Sequence, residues 1–226
     1  MAIQAQGCIV RRQSTAAGST AQTAVATLAF STVVNGVTRS DVGSFVTDGF
    51  SSAMRVENTS TSNTTRVHTV ASVAATVMVF YEPVVTQSTG ISITLTGHSM
   101  SAIGQVVGFN GPSGSASVID VTHLGSTAKE KIVGLRDEGQ VSLDLIYDPA
   151  TTGTSIHLSL KADRATRTKR IFDIKLTDSG TASSQPSAYY FNAYVTGFSL
   201  TGAVDDVVKA SVTLEISSAV RTIEPV

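Results

Sequence analysis

Histidine, cysteine and paired aspartate side chains are the first places to look for chemistry in this sequence. The four histidines, His68, His98, His123 and His157, are widely separated, with no HExxH or comparable pair that would present two imidazoles to one metal. His123 and His157 in particular read as isolated surface histidines. Cys8 is the single cysteine, so it has neither an intrachain disulfide partner nor a thiolate cluster to join. Its context, Gln4-Ala5-Gln6-Gly7-Cys8, has a faint likeness to a lipoprotein cleavage site. No apolar run precedes it and Arg11 and Arg12 follow, so lipidation is not expected. Asp205-Asp206 would suit an acid–base or metal pair only if both carboxylates converged. Neighbours on a strand project to opposite faces, and a turn is the expectation. Gly111-Pro112-Ser113-Gly114 is glycine-rich but lacks the Gly-Lys-Ser/Thr ending of a phosphate-cradling loop, and no Gly-x-Ser-x-Gly elbow occurs. The expectation is a protein that is not an enzyme and has no catalytic residues, cofactor or metal.

Composition points the same way. The 226 residues suit one large all-β domain, or one domain carrying a sizeable insertion. With 42% hydrophobic and 15% charged residues there is ample material for a core. Sixteen basic and 17 acidic residues leave a net charge of −1, which lacks the clustered Lys and Arg of a protein that grips nucleic acid. No apolar stretch approaches the ~20 residues of a membrane helix, so a soluble protein made in the cytoplasm is expected.

Period-two alternation marks half-buried strands along much of the chain. Within 140–147, Val141, Leu143 and Leu145 oppose Ser142 and Asp144; within 209–217, Ala210, Val212, Leu214 and Ile216 oppose Ser211, Thr213, Glu215 and Ser217. Further strands are expected at 3–10, 66–73, 76–81, 91–96, 103–109, 170–176 and 190–200. Turn signals separate them at Asn35-Gly36, Asp48-Gly49, Asn110-Gly111-Pro112 and Asp178-Ser179-Gly180. After Asp148-Pro149 the pattern is ambiguous. Thr154 could cap a helix with Ile156 and Leu160 one turn apart and basic Lys161 and Arg164 at its end, yet Ile156, Leu158, Leu160 and Ala162 also alternate like a strand. Residues 111–139 are small, polar and mixed in charge, and read as a long mobile loop.

The run IGQVVGFNGPSGSASVIDVTHLGSTAKEKIVGLRDEGQVSLDLIYDP, residues 103–149, resembles the tail tube family of lambda-type siphophages. It carries a strand, a GPSG turn, "IDVTHL", "STAKEK" and "LRDEGQ" leading into the next strand. FNAYVTGFSLTGAVDDVVKASVTLEIS looks like that family's closing hairpin, and IQAQGCIVRRQ like its first strand. The resemblance implies a helix at about 154–164. It also implies a mostly β fold: a tail-tube-type sandwich or barrel of two packed sheets, one flanking helix and a long loop. Residues 1–22 and 98–226 would form that domain. The stretch 23–97, with SFVTDGF, RVHTVASV and TVMVFYEPVV, departs from the family and reads as an inserted small β-barrel module on the tube exterior.

What the resemblance implies for function is a structural virion protein of a long non-contractile tail. Hexameric rings of this chain would stack into a hollow tube through which DNA passes during ejection. Its partners would be further copies of itself, the tape measure protein, the tail terminator and tail tip proteins, and passing DNA that it does not bind sequence-specifically. The inner strands would be 103–109, 140–147, 190–200 and 203–217, with Ser142, Asp144, Ser211, Thr213 and Glu215 facing the lumen. In the long loop, Ile119, Val121, Leu124, Lys129, Glu130, Lys131, Ile132 and Leu135 would meet neighbouring subunits. Two alternatives remain: the tube subunit of a contractile tail or secretion system, and a β-rich adhesin or glycan-binding module. The absence of Trp and only 6% aromatic residues count against the second.

Overall fold

A computed structural model describes residues 6–14, 22–63, 66–149, 155–178 and 185–224. In chain order the elements begin with β1 (Ile9–Gln13), β2 (Gln22–Ser31), β3 (Gly36–Arg39), β4 (Arg55–Asn58), β5 (His68–Val73), β6 (Val77–Phe80), β7 (Gln87–His98) and β8 (Met100–Ala102). They continue with β9 (Val106–Asn110), β10 (Ser115–Asp120), β11 (Lys131–Asp137), β12 (Gln140–Ile146), α1 (Ile156–Thr166), β13 (Arg170–Lys175), β14 (Ala188–Thr201), β15 (Lys209–Ile216) and β16 (Arg221–Ile223). The architecture is mostly β, with packed sheets, a single helix among the described residues and a small closed barrel. The chain divides into two units, one of residues 1–103, 171–190 and 221–226, the other of 104–170 and 191–220.

The first unit contains the barrel, closed in the order β2-β3-β6-β5-β4-β7. Alternation fills its interior with Leu28, Phe30, Val37, Val56, Val70, Met78, Phe80, Ile93 and Leu95, all nearly or wholly buried. Phe45 and Phe50, from the segment between β3 and β4, stack edge to face at 5.9 Å and belong to the same buried cluster. Asn35, at φ 45°, makes the β2–β3 turn and donates its side-chain amide to the carbonyls of Phe80 and Tyr81. A Cβ at Gly36 would sit 2.1 Å from the Met78 carbonyl oxygen, so only glycine permits that approach of β3 to β6. Beside the barrel, β1 pairs with both β8 and β13, and the start of β14 pairs with β16. Val67, Ile171, Ala188, Tyr190 and Ile223 form a second apolar cluster there.

In the second unit β15 lies between β14 and β12, and β9 pairs with the other edge of β12. Val141, Leu143, Leu145, Ala210, Val212, Leu214 and Ile216 are buried, as the alternation requires. His157 ties α1 in place: Nδ1 accepts the Asp148 N–H at 3.0 Å, which leaves Nε2 to donate to the Gly104 carbonyl at 2.9 Å.

Several local expectations are corrected. The first strand is β1 at Ile9–Gln13 and not 3–10; residues 3–5 lie outside the described residues, while Gly7, at φ +92°, turns the chain just before β1. The strand expected at 103–109 is broken by Gln105 at φ 60°, so β9 starts at Val106. The helix is capped at Ser155, whose hydroxyl donates to the Asp148 carbonyl; Thr154 lies outside the described residues. His157 is buried, and so are His68 and His98; only His123 of the four is exposed. Most consequentially, the stretch 111–139 is a β-hairpin. Val118, Ile119, Ile132 and Val133 are β-branched and pair across β10 and β11, but neither face is covered, so no alternating burial pattern appears in the sequence.

Candidate assembly surfaces

Strand register in the second unit brings the polar side chains of β12 and β15 onto one face. Ser142 lies opposite Thr213 and Asp144 opposite Ser211, while Gln140 lies opposite Glu215 and donates its amide to Oε2 at 2.7 Å. The five residues expected to act together, Ser142, Asp144, Ser211, Thr213 and Glu215, therefore share a face. All five are exposed or half-buried, while the residues between them are buried. The same register adds Tyr194 opposite Glu215, Ser199 opposite Ser211 and Asn110 opposite Ser142. Gly197 lies opposite Thr213, and a Cβ there would come within 2.9 Å of the Thr213 hydroxyl.

One charged residue of this face was missed. Lys209 lies opposite Ile146 and Thr201, two positions before Ser211, and so projects to the same side. The alternation Lys209, Ser211, Thr213, Glu215 would have revealed it. Its ammonium lies 2.8 Å from the Asp206 carboxylate. Asp205, at φ 64°, and Asp206 lie in the β14–β15 turn, where the sequence expectation put them. Asp206 titrates below the usual carboxylate range because it accepts from Lys209 and from the Val207 N–H. The face thus carries Asp144 and Glu215 with one cation already matched by a carboxylate.

The β10–β11 hairpin is the second surface. Val118 lies opposite Val133 and Ile119 opposite Ile132. Val118 and Val133, with Leu135 two residues on, occupy one face, and Ile119 and Ile132 the other. All five are more than half exposed, and Leu124, in the connection between the strands, is fully so. The remaining expected residues lie at the same distal end: Val121 donates to the Glu130 carbonyl, Glu130 donates to the Thr122 hydroxyl, and Lys129 and Lys131 flank it in solvent. An isolated two-stranded ribbon is marginal in water, and this one shows apolar side chains on both faces.

Among the described residues no group of three or more His, Cys, Asp or Glu side chains could hold a metal ion, and no helix is long and apolar enough to cross a membrane.

Residues 82–225, well over half of the chain, match the family described as phage tail tube, TTP, lambda-like. The chain belongs to that family. As a lambda-like tail tube protein it is a structural component of a virion tail, and the match covers both the polar sheet face and the hairpin. No curated protein matches the chain. A solved structure of an anti-feeding prophage baseplate, 6-fold symmetrised, is similar at 14% identity and a TM-score of 0.42, over 56% of this chain and 84% of that one.

Proposed function

We propose that this tail tube protein forms six-membered rings that stack into the hollow tube of a long, non-contractile tail, and that DNA passes along its bore during ejection. The observation that carries this reading is the polar face of β12 and β15. It is lined by Ser142, Asp144, Ser211, Thr213 and Glu215 and backed by a fully apolar opposite face. DNA slides past a wall that offers no strong phosphate site, and affinity for phosphate is built from Lys and Arg contacts. The cation on this face, Lys209, has a carboxylate beside it. Strand β9 supports ring closure, because among the described residues it pairs on one side only and an open sheet edge is a template for another chain. A head-to-tail contact that closes by rotation makes a ring.

The β10–β11 hairpin supplies the contact to neighbouring subunits through Ile119, Val121, Leu124, Ile132 and Leu135, with Lys129, Glu130 and Lys131 at its distal end. Full burial of an Ile or Leu contributes about 1.5–3 kcal/mol, so covering this hairpin offsets a large part of the entropy lost on association. The inserted module, 23–97, faces the exterior, since a barrel projecting inward would block the bore. The tape measure, tail terminator and tail tip proteins are the expected further partners. Electron microscopy of the concentrated protein tests the reading: hollow tubes of constant width are expected, and a protein that stays monomeric at every concentration would exclude it.

A further inference from the structure

Cations and carboxylates are matched over most of this chain. Arg11 and Arg55 share Asp173, Arg39 holds Asp41 and Asp48, and Arg136, Arg170, Lys209 and Arg221 each meet a carboxylate. The end of α1 is different. Of the 16 basic residues, Lys161, Arg164, Arg167 and Lys169 fall within one short stretch. All four are exposed, and among the described residues none has an ion-pair partner. Asp163, the acidic residue among them, is buried and accepts from Arg170 Nε at 3.1 Å. Cations in the last turn of a helix complement its dipole, which accounts for Arg164. Lys161 comes earlier in the helix, and Arg167 and Lys169 come after it ends at Thr166. Arg167 also takes φ 53°, a left-handed conformation that helix ends ordinarily give to glycine or asparagine. The arginine side chain is kept there against the preference of its backbone.

Helix α1 lies on the side of the sheet away from the polar face. Tyr147 continues β12, its N–H donating to the Val208 carbonyl at 2.8 Å, with the parity of buried Val141, Leu143 and Leu145. Its ring stacks on His157 of α1 with centroids 6.1 Å apart and meets Phe198 edge to face. Phe198 in turn lies opposite buried Val212. A ligand passing over Ser142, Asp144 and Ser211 is therefore on the other side of the sheet from the four cations. We propose that Lys161, Arg164, Arg167 and Lys169 bind a phosphodiester polymer of the host cell surface. The inference rests on the tube reading above only for placing these residues outside the bore. Charge complementarity selects the occupant, since four unmatched cations call for several anions in series. Lys161 and Arg164, three residues apart on a helix, are neighbours, and Arg167 and Lys169 extend the positive surface beyond the helix end. The forked donors of the two arginines fit the free oxygens of a phosphodiester. Repetition around and along a tube would turn a weak contact into a firm one.

Binding of poly(glycerol phosphate) to the full chain, free and as tubes, tests this. The free chain should bind, with an affinity that falls roughly 50-fold between about 50 and 200 mM salt, as four phosphate contacts to a flexible strand require. Tubes should bind more tightly, by about 100-fold or more. The variant Lys161→Gln/Arg164→Gln/Arg167→Asn/Lys169→Gln should lose binding at low salt. Its substitutions are at exposed positions and asparagine suits the left-handed turn, so it should fold, which circular dichroism and thermal melts check. Should it not fold, Lys161→Gln/Lys169→Gln leaves the helix end intact and should show a partial loss. Arg66→Gln, which removes an exposed cation elsewhere, should bind as wild type. Binding retained by the folded variants overturns the proposal, and so does equal binding of polygalacturonate, whose charges are carboxylates. Tubes that do not bind although the free chain does would mean that neighbouring copies cover the patch, which overturns the proposal and leaves the tube reading intact. Wild-type protein that forms no tubes removes the tube reading, and binding by the free chain then decides the proposal alone.

Discussion

Arg55 on β4 of the barrel donates from Nε to Asp173 Oδ2 on β13 at 3.0 Å, and neither side chain is more than 1% exposed. Asp173 also accepts from Arg11 Nε at 2.8 Å on the neighbouring strand, and Arg55 reaches the Thr69 hydroxyl, which in turn meets Glu82. A buried carboxylate is thus held between two guanidiniums, one of them supplied by the barrel. Buried pairs contribute little relative to apolar replacements, but removing one member strips the other of a charge partner; without Asp173, Arg55 keeps the Glu82 carboxylate, 3.6 Å from its Nη1. Asp173→Ala is therefore expected to destabilise the folded chain by about 3–5 kcal/mol, as read by urea unfolding. Replacing Arg55 and Asp173 together by apolar residues of similar volume should cost clearly less than the sum of the two single changes. Additive single effects would show that the two charges do not depend on each other.

The same pair limits how separable the barrel is. Deleting 23–97 and bridging with a short Gly/Ser linker removes Arg55, Val67 and the rest of the barrel, leaving Asp173 with Arg11 and opening the cluster around Ile171, Tyr190 and Ile223. The second unit keeps its own strands and its hairpin. The shortened chain is expected to form rings still, but to melt at a lower temperature than the parent. Differential scanning fluorimetry and electron microscopy read the two outcomes. Failure to fold at any temperature would show that the barrel is part of one cooperative unit.

His68 makes the barrel acid-sensitive. Its ring is fully buried 4.8 Å from Phe80 and 6.4 Å from Phe30, and among the described residues neither nitrogen has a partner at good hydrogen-bond geometry. Burial, with a smaller contribution from Arg66, pushes its pKa down to about 4, against a weak opposing effect of the Pro83 carbonyl. The unfolded chain binds a proton below about pH 6.5 that the folded chain refuses until about pH 4. Stability attributable to His68 is complete above pH 6.5 and falls as pH drops through that window, by at most roughly 3 kcal/mol. His68→Leu should flatten the difference between urea midpoints at pH 7 and pH 5. An unchanged difference would place the acid sensitivity elsewhere.

What the sequence revealed and what it concealed follow from burial. Strands with one covered face write their role in alternation, so β12 and β15 could be read residue by residue, including the grouping of Asp144 with Ser211. Helix α1 could not, because its buried positions are His157, Ser159, Leu160 and Asp163 while Leu158 is 42% exposed. A helix that buries polar groups on hydrogen bonds has no apolar stripe to display. The β10–β11 hairpin concealed itself for the opposite reason, having two uncovered faces. The Arg55–Asp173 pair joins residues 118 positions apart, and no local pattern encodes it.

The polar face of β12 and β15 makes the most direct functional prediction. Asp144 and Glu215 occupy outward positions between buried Leu143, Leu145, Leu214 and Ile216, so either can be replaced without disturbing the core. Asp144→Lys with Glu215→Lys should change stability by no more than about half a kcal/mol per site, apart from the bond Glu215 accepts from Gln140. In a bore the consequence is larger. Each subunit would lose two negative charges and gain two positive ones, beside a Lys209 already present on the same face. Rings of such residues would form a phosphate-binding wall whose hold weakens as salt rises. Phage carrying the double change are expected to assemble normal tails and to eject DNA slowly, with the rate restored in part by added salt. A control with Asp144→Asn and Glu215→Gln, which removes charge without adding any, should eject at nearly the normal rate. Normal ejection by the double-lysine phage would mean that this face does not line the channel.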